Sequence, residues 1–487
     1  MKQTKFFSFF IAFNIACLII EDPVLRLWVA AITGVVQTIL LLIFTRENNP
    51  LNIFPLSMLL WMVQFPMTGF MMQLLDLPLS YGVTLPYLGP AVVLANICQL
   101  IVASVWKLPI WLTLACKVPR LTFPTLTEAT GALTILWGMS QFFRLFSFFS
   151  GYQPGFEVEA GTLEVTTNLL YMGIGLLSLF PIICFCGFMR SDRKNVRLLG
   201  YLVLITEVVF VTIFSGSKAG PTITLINFAI AYHYVVRPIK PAITWTLIAI
   251  MAILVIPFYA VKMHTRTYLI LNYELSQERP KLGFSDYVDM YSNAFDMVAD
   301  VSPSVIAEET SMALISRFDT LTVLAATIAY YDGPIGYDTP MYLSLWVKPY
   351  IPRAMWPEKG WVGLGLFVSN EILGVPGYTH AAVTSTIEGY IGGGPFGAII
   401  LSILHGAFVA FGVAYLMATP KGCDSSFTRA IFASMFLVFL YFNSSFSIPR
   451  GVITNLFAIW GLVKILSLAG ARLVRVAPVS HYPGVAG

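Results

Sequence analysis

Apolar residues fill this chain in long blocks instead of alternating with polar ones, and short basic, prolyl or acidic turns bound each block. A bilayer crossing needs ~17–25 such residues. The pattern predicts about twelve crossings, at 6–20, 27–44, 53–75, 87–106, 129–149, 166–189, 198–214, 221–236, 241–261, 395–418, 430–446 and 452–468. Between the ninth and tenth lies 262–394, too long and too mixed in polarity to be a simple turn. Within it, 284–300 carries apolar and acidic residues in a pattern that suits a surface helix. The stretch 311–331 is apolar enough to cross, but a crossing there would invert every later turn. A buried or re-entrant helix is expected instead, since irregular backbone at depth is tolerated where protein or a cavity covers it. The expected fold is an all-α polytopic membrane protein, one domain over 1–487, with one large external loop at 262–394.

Charge sets the expected orientation, because short cytoplasmic loops collect lysine and arginine. Lys2, Lys5, Arg46, Lys107, Lys117, Arg120, Arg190, Arg193, Lys194, Arg197, Arg237, Lys240, Lys421, Arg429, Arg472 and Arg475 fall at alternate turns. The intervening short loops hold Asp76, Glu157, Glu159 and Glu164 instead. Both termini are then cytoplasmic and 262–394 is external. Composition agrees with a membrane protein: 57% of residues are hydrophobic, 11% are charged and the mean hydropathy is +0.77. Soluble domains average about 45–50% apolar. The net charge of +4 gives no reason to expect a nucleic-acid partner.

The opening residues, MKQTK before an apolar run, have the look of a signal peptide but lack a small-residue cleavage site, so an uncleaved first span is expected. Six cysteines, Cys17, Cys98, Cys116, Cys184, Cys186 and Cys423, fall in spans or on the basic side, and the external loop has none. A disulfide framework is not expected there. Cys184 and Cys186 have no histidine near them in sequence, which favours packing over metal binding.

The chemistry-bearing residues gather on the external side. Ser215-Gly216-Ser217-Lys218-Ala219-Gly220-Pro221 joins two short spans, and a helix start with an added cation suits an anion. The plain alternative is a glycine turn with a snorkelling lysine. Arg266 lies just beyond the ninth span, on one helical face with Lys262, where anchoring at the interface competes with ligand binding. Arg317, followed by Asp319, reads either as a structural ion pair or as a fork for phosphate. Arg353 stands between Pro352 and Pro357, a preorganised cation, with Trp356 and Trp361 as flat faces for sugar and Lys359 alongside. An interfacial aromatic belt is the competing reading. Arg450 adds a cation to an otherwise uncharged turn. His380 and Glu388 are candidate proton acceptors, against the plainer fates of a solvated histidine and a salt-bridge partner. Within the spans, Arg144, Glu207 and His405 are costly unless paired. The sequence carries no P-loop, nucleophile elbow or zinc-ligand spacing, and no cofactor or metal is expected.

Taken in order, these pieces resemble the bacterial O-antigen and oligosaccharide-repeat-unit polymerases. The likeness rests on the turn from Ser215 to Gly220, on the arginine helix around Arg317, and on Pro-Arg-x-x-Trp-Pro-x-Lys from Pro352 to Lys359. Glu-Gly-Tyr-x-Gly-Gly-Gly from Glu388 to Gly394 completes it. The turn commonly carries arginine in that family where this chain has Lys218, a point charge instead of a fork. The resemblance implies a GT-C-like membrane glycosyltransferase in the bacterial inner membrane. Its substrates would be undecaprenyl-diphosphate-linked glycans, with membrane lipid around it and a chain-length regulator and a flippase as protein partners. By the same resemblance Lys218, Arg266, Arg317, Arg353 and Arg450 would hold the diphosphate. Trp356, Trp361 and Lys359 would bind sugar, and His380 or Glu388 would take the acceptor proton. Two other functions remain open: an O-antigen ligase of similar layout, and a non-enzymatic transporter or flippase of lipid-linked glycans. A transporter is expected to place its charges near the bilayer midplane.

Overall fold

The computed structural model describes residues 3–74 except 46–48 and 50, then 85–118, 120–122, 180–214, 220–249, 284–300, 320–332, 364–374, 383–417 and 472–474. Scattered positions between 131 and 145 and between 261 and 344 are described as well. Within these residues the chain is helical apart from one short ribbon. In chain order the elements are α1 (Gln3–Cys17), α2 (Pro23–Thr45), α3 (Ile53–Leu74), α4 (Leu85–Trp106), α5 (Ile110–Lys117) and β1 (Arg120–Thr122). After them come α6 (Phe180–Met189), α7 (Lys194–Phe214), α8 (Gly220–Ala231), α9 (Phe284–Asp300), α10 (Thr320–Asp332), α11 (Leu364–Phe367), α12 (Ser385–Met417) and β2 (Arg472–Val474). Among the described residues five helices are long and apolar enough to cross a membrane. The described residues are those of an all-α membrane protein, with one short ribbon in which β1 and β2 pair antiparallel, Leu121 opposite Leu473. Three-residue strands are too short to leave a pattern in sequence.

Apolar burial is what holds the helices, in two adjoining clusters. The first joins α1, α2, α3, α4, α10 and α12 around Trp61, Phe65, Leu88 and Leu321; the second joins α6, α7 and α8 around Phe185, Phe188 and Phe228. Trp106 packs against both. Cys184 and Cys186 are buried thiols inside the second cluster. Midway along α3, Pro66 cannot donate to the helix ladder, and a π-turn forms over Val63–Met67. The Val63 carbonyl accepts the Thr68 hydroxyl at 2.7 Å, so it is not left bare at depth.

Four amide side chains form a linked set of polar contacts within the first cluster. Asn14 donates to Gln37 Oε1 at 3.0 Å, and Asn96 donates to Asn14 Oδ1 at 2.9 Å. Gln37 donates to the Asn96 carbonyl and to Gln99 Oε1, both at 3.0 Å, and Gln99 donates to the Met58 carbonyl at 3.2 Å. These bonds stitch α1, α2, α3 and α4 together.

Basic turns far apart in sequence meet at one end of the bundle. Asn49 donates to the Ile239 carbonyl at 2.8 Å, and Arg190 donates to the Val235 carbonyl at 3.4 Å. The Ile53 amide donates to the Tyr234 hydroxyl at 2.9 Å, and Lys107 lies 5.2 Å over the Phe54 ring. The rings of Phe6 and Phe44 stack at 5.6 Å, placing the start of α1 with the end of α2 at this same end. At the far end, Arg26 Nε donates to the Ile20 carbonyl at 2.7 Å, and Tyr87 donates to Asp332 at 3.2 Å. Tyr291 of α9 donates to the Thr212 carbonyl at 2.7 Å, near the C-terminal end of α7. Helix α10 is buried along nearly the whole of its described length, Thr320–Asp332.

Candidate functional site

The site is built on a hairpin within α12. Gly393 and Gly394 interrupt it with non-helical backbone, and Gly394 has φ 60° and ψ −148°, a conformation essentially closed to residues with a Cβ. Pro395 then occupies the first turn of the second limb, where its missing N–H costs nothing. The limbs fold back on each other. Thr386 and Ser402 both flank the Cys98 thiol, although sixteen positions apart on a straight helix is about 24 Å. The first limb, 385–392, is capped by Thr384: the Ile387 N–H donates to its Oγ1 at 3.5 Å and the Glu388 N–H to its carbonyl at 2.9 Å. The second limb, 395–417, is long enough to cross alone.

Glu388 is 0% exposed in this first limb, about 8 Å along the helix from the turn. It was expected just ahead of a span on the external side. The structure buries its side chain, because its limb packs against α4. Sequence showed only a polar lead-in to an apolar run, and tertiary packing made it a buried half-helix.

Below Glu388 the polar lining is under-satisfied. Among the described residues, Ser385 Oγ, Thr386 Oγ1 and both ring nitrogens of His405 have no hydrogen-bond partner, although all three residues are fully buried. The Thr386 hydroxyl approaches Cys98 without meeting hydrogen-bond geometry. Each such group costs ~1–3 kcal/mol in desolvation. His405 meets the edge of Trp61 with ring centroids 6.4 Å apart, and Trp61 donates to the Ala95 carbonyl at 3.0 Å. Glu207, the other carboxylate expected to be costly at depth, accepts from Gln141 at 3.0 Å.

Above Glu388 lies a tyrosine layer. Tyr331 closes on Tyr337 with ring centroids 5.7 Å apart, and Tyr337 on Tyr390 at 5.7 Å. Thr339 donates to the Gly392 carbonyl at 2.7 Å, fastening this segment to the hairpin turn. Asp332, at the end of α10, accepts from Tyr87 of α4. A ring, a carboxylate and hydroxyls facing solvent over a buried carboxylate suit a polyhydroxylated ligand better than a flat apolar one.

Of the candidate catalytic, diphosphate-binding and sugar-binding residues, Glu388 is the one that falls among the described residues. Lys218, Arg266, Arg317, Arg353, Arg450, Trp356, Lys359, Trp361 and His380 lie outside them, as does Arg144. Helix α10 starts three residues after Arg317. Sequence reading passed over Tyr87, Asp332 and Tyr337, which come from three separate segments. The visible signal was Gly336-Tyr337, an aromatic beside a turn residue, and Gly336 has φ 67°. Among the described residues no three His, Cys, Asp or Glu side chains are placed to hold a metal ion. No family model matches the chain, nor does any curated protein or solved structure.

Proposed function

We propose that this chain is a membrane glycosyltransferase of the GT-C type, a polymerase that moves a growing glycan from undecaprenyl diphosphate onto the next lipid-linked repeat unit. In this reading about twelve spans cross the bacterial inner membrane, both termini are cytoplasmic and 262–394 faces the periplasm. The observation that carries it is Glu388. In the same Glu-Gly-Tyr-x-Gly-Gly-Gly segment that carries the family resemblance, a fully buried carboxylate lies beneath an open tyrosine and aspartate surface. Intramembrane carboxylates mark functional sites by default. The external cations Lys218, Arg266, Arg317, Arg353 and Arg450 supply the charge a diphosphate leaving group requires. His380 takes the proton of the acceptor hydroxyl. Trp356, Trp361 and Lys359 hold sugar. The donor's own energy drives transfer, and no cofactor is needed.

A second reading has an observation of its own. Glu207, Glu388 and His405 are all buried within the bundle, and a half-helix that begins at depth is also how transporters build midplane sites. Chain-length analysis of surface polysaccharide in a deletion strain separates the candidates. Capped single repeats support the polymerase, and lipid-linked polymer left untransferred indicates a ligase. Lipid-linked repeats trapped on the cytoplasmic leaflet indicate a flippase, and an unchanged polysaccharide profile removes all three.

A further inference from the structure

We propose that the exposed Tyr337 ring, with the Asp332 carboxylate and the Tyr87 hydroxyl beside it, forms a saccharide platform over the hairpin turn. The inference deepens the glycan-transfer reading and rests on it for the platform's place in the reaction. The binding itself stands on the following geometry.

Tyr337 is 45% exposed, yet it is not free to swing. Tyr331 and Tyr390 hold it from two directions, and both are almost wholly buried. Its hydroxyl end rests on Gly394, where a Cβ would come 2.5 Å from the ring. Two residues later, Thr339 is tied to the Gly392 carbonyl. An exposed aromatic that is immobilised before binding loses little entropy when a sugar face settles on it. Solvent-facing tyrosines that merely mark a membrane boundary need no such clamp.

Asp332 supplies the second half of the recognition. Its carboxylate is exposed and lies close enough to Tyr390 to act on it electrostatically. The Tyr87 hydroxyl occupies Oδ2, and among the described residues no bond is made to Oδ1. A carboxylate oriented by one donor, with an acceptor atom to spare, suits a pair of sugar hydroxyls. Flat ring and acceptor together select a polyhydroxylated ring over lipid. Because the platform sits directly above the Glu388 limb, it is assigned to the acceptor sugar rather than to the diphosphate.

The test is saturation-transfer NMR on the full chain in nanodiscs. The probe is a set of short oligosaccharides released by mild acid from the producing cell's own surface polysaccharide. The wild type is expected to transfer saturation to sugar ring protons. Tyr337→Ala should weaken binding on the order of fivefold, and Tyr337→Phe should retain it. Asp332→Asn should weaken it ~tenfold, since a bond to a charged group is lost. Both side chains are exposed, so monodisperse protein is expected from either variant. No transfer in the wild type overturns the platform, and so does wild-type binding by both Tyr337→Ala and Asp332→Asn, which would leave an interfacial tyrosine only. The two readings fail separately. Binding without any polysaccharide defect in the deletion strain sinks the polymerase and leaves the platform. Single repeats in that strain, with binding insensitive to both variants, do the reverse.

Discussion

Gly389 and Gly397 lie back to back across the α12 hairpin, so close that a Cβ on Gly389 would stand 2.5 Å from the Gly397 carbonyl oxygen. Both contacts are backbone against backbone, and neither limb has a flexible side chain to move aside. This is the small-residue contact that lets membrane helices approach closely. Gly389→Ala and Gly397→Ala are each expected to cost ~1–3 kcal/mol, the range for overpacking a tight contact. Gly393→Ala meets nothing within 4 Å and has an ordinary φ, so it serves as the control. Thermal unfolding of the purified protein in detergent, followed by loss of the monodisperse peak, reads the difference. Equal midpoints for the three variants would mean that the hairpin is not closed in solution.

Much of the bundle was legible in sequence because membrane spans announce themselves by unbroken apolar length. The third was expected at 53–75 and forms as Ile53–Leu74; the amphipathic stretch 284–300 forms as Phe284–Asp300. The hairpin was not legible. Its first limb, STIEGYIG, mixes Ser, Thr and Glu with apolar residues, and nothing local says that it turns inward. Only packing against α4, which brings Thr386 to Cys98, decides that. The grouping of Tyr87, Asp332 and Tyr337 was silent for the same reason, since their meeting is tertiary. The amides Asn14, Gln37, Asn96 and Gln99 looked like isolated polar positions on apolar helices until the helices were assembled.

Those amides carry the second prediction. Asn96 donates both to Asn14 Oδ1 and to the Ala30 carbonyl, and its own carbonyl accepts from Gln37. Removing its side chain leaves the buried Asn14 Oδ1 without its donor, and a loss of ~1–3 kcal/mol is expected from unsatisfied burial. Comparable bonds between membrane helices average nearer ~0.6 kcal/mol, because the unfolded segments find other partners in the bilayer. A double-mutant cycle of Asn96→Ala with Asn14→Ala in detergent decides between these scales. Coupling above ~1 kcal/mol shows a network acting as a unit, and strict additivity would reduce it to separate weak bonds.

Sidedness gives the third. The turns holding Asn49, Arg190 and Ile239 meet at one end, and Tyr291 of α9 reaches the opposite end of α7. From the charge bias we propose that the first end is cytoplasmic. In a background with the six native cysteines replaced, Asp192→Cys is expected to stay unlabelled by an impermeant thiol reagent until the inner membrane is lysed. Ser285→Cys, at the start of α9, is expected to label in cells with only the outer membrane permeabilised. Labelling of both residues in the same compartment would break the assignment of α9 to the far end, and the reverse order would invert the whole protein.

The last prediction separates the two candidate proton acceptors. Glu388 is sealed from solvent, with the hairpin turn and the tyrosine layer above it. An acceptor sugar resting on that layer does not touch it. We therefore propose His380 as the proton acceptor, because an ordinary imidazole changes charge near neutral pH. Glu388 is then a positioning residue, acting on the base or on the hairpin by its charge. His380→Ala is expected to abolish glycan transfer while lipid-linked substrate still binds. Glu388→Gln, nearly equal in shape, is expected to keep measurable transfer but to move the acid limb of the pH–rate profile to lower pH. The proposal takes Glu388 as ionised and close to His380: a negative charge there favours the protonated imidazole, and its removal lets the neutral, accepting form persist further into acid. A merely structural glutamate would change the amount of folded protein and leave the profile where it was. Full activity in His380→Ala with none in Glu388→Gln would assign the base to Glu388 and require the hairpin to open for the acceptor. Normal polymer from both variants would leave catalysis to the external cations and to positioning alone.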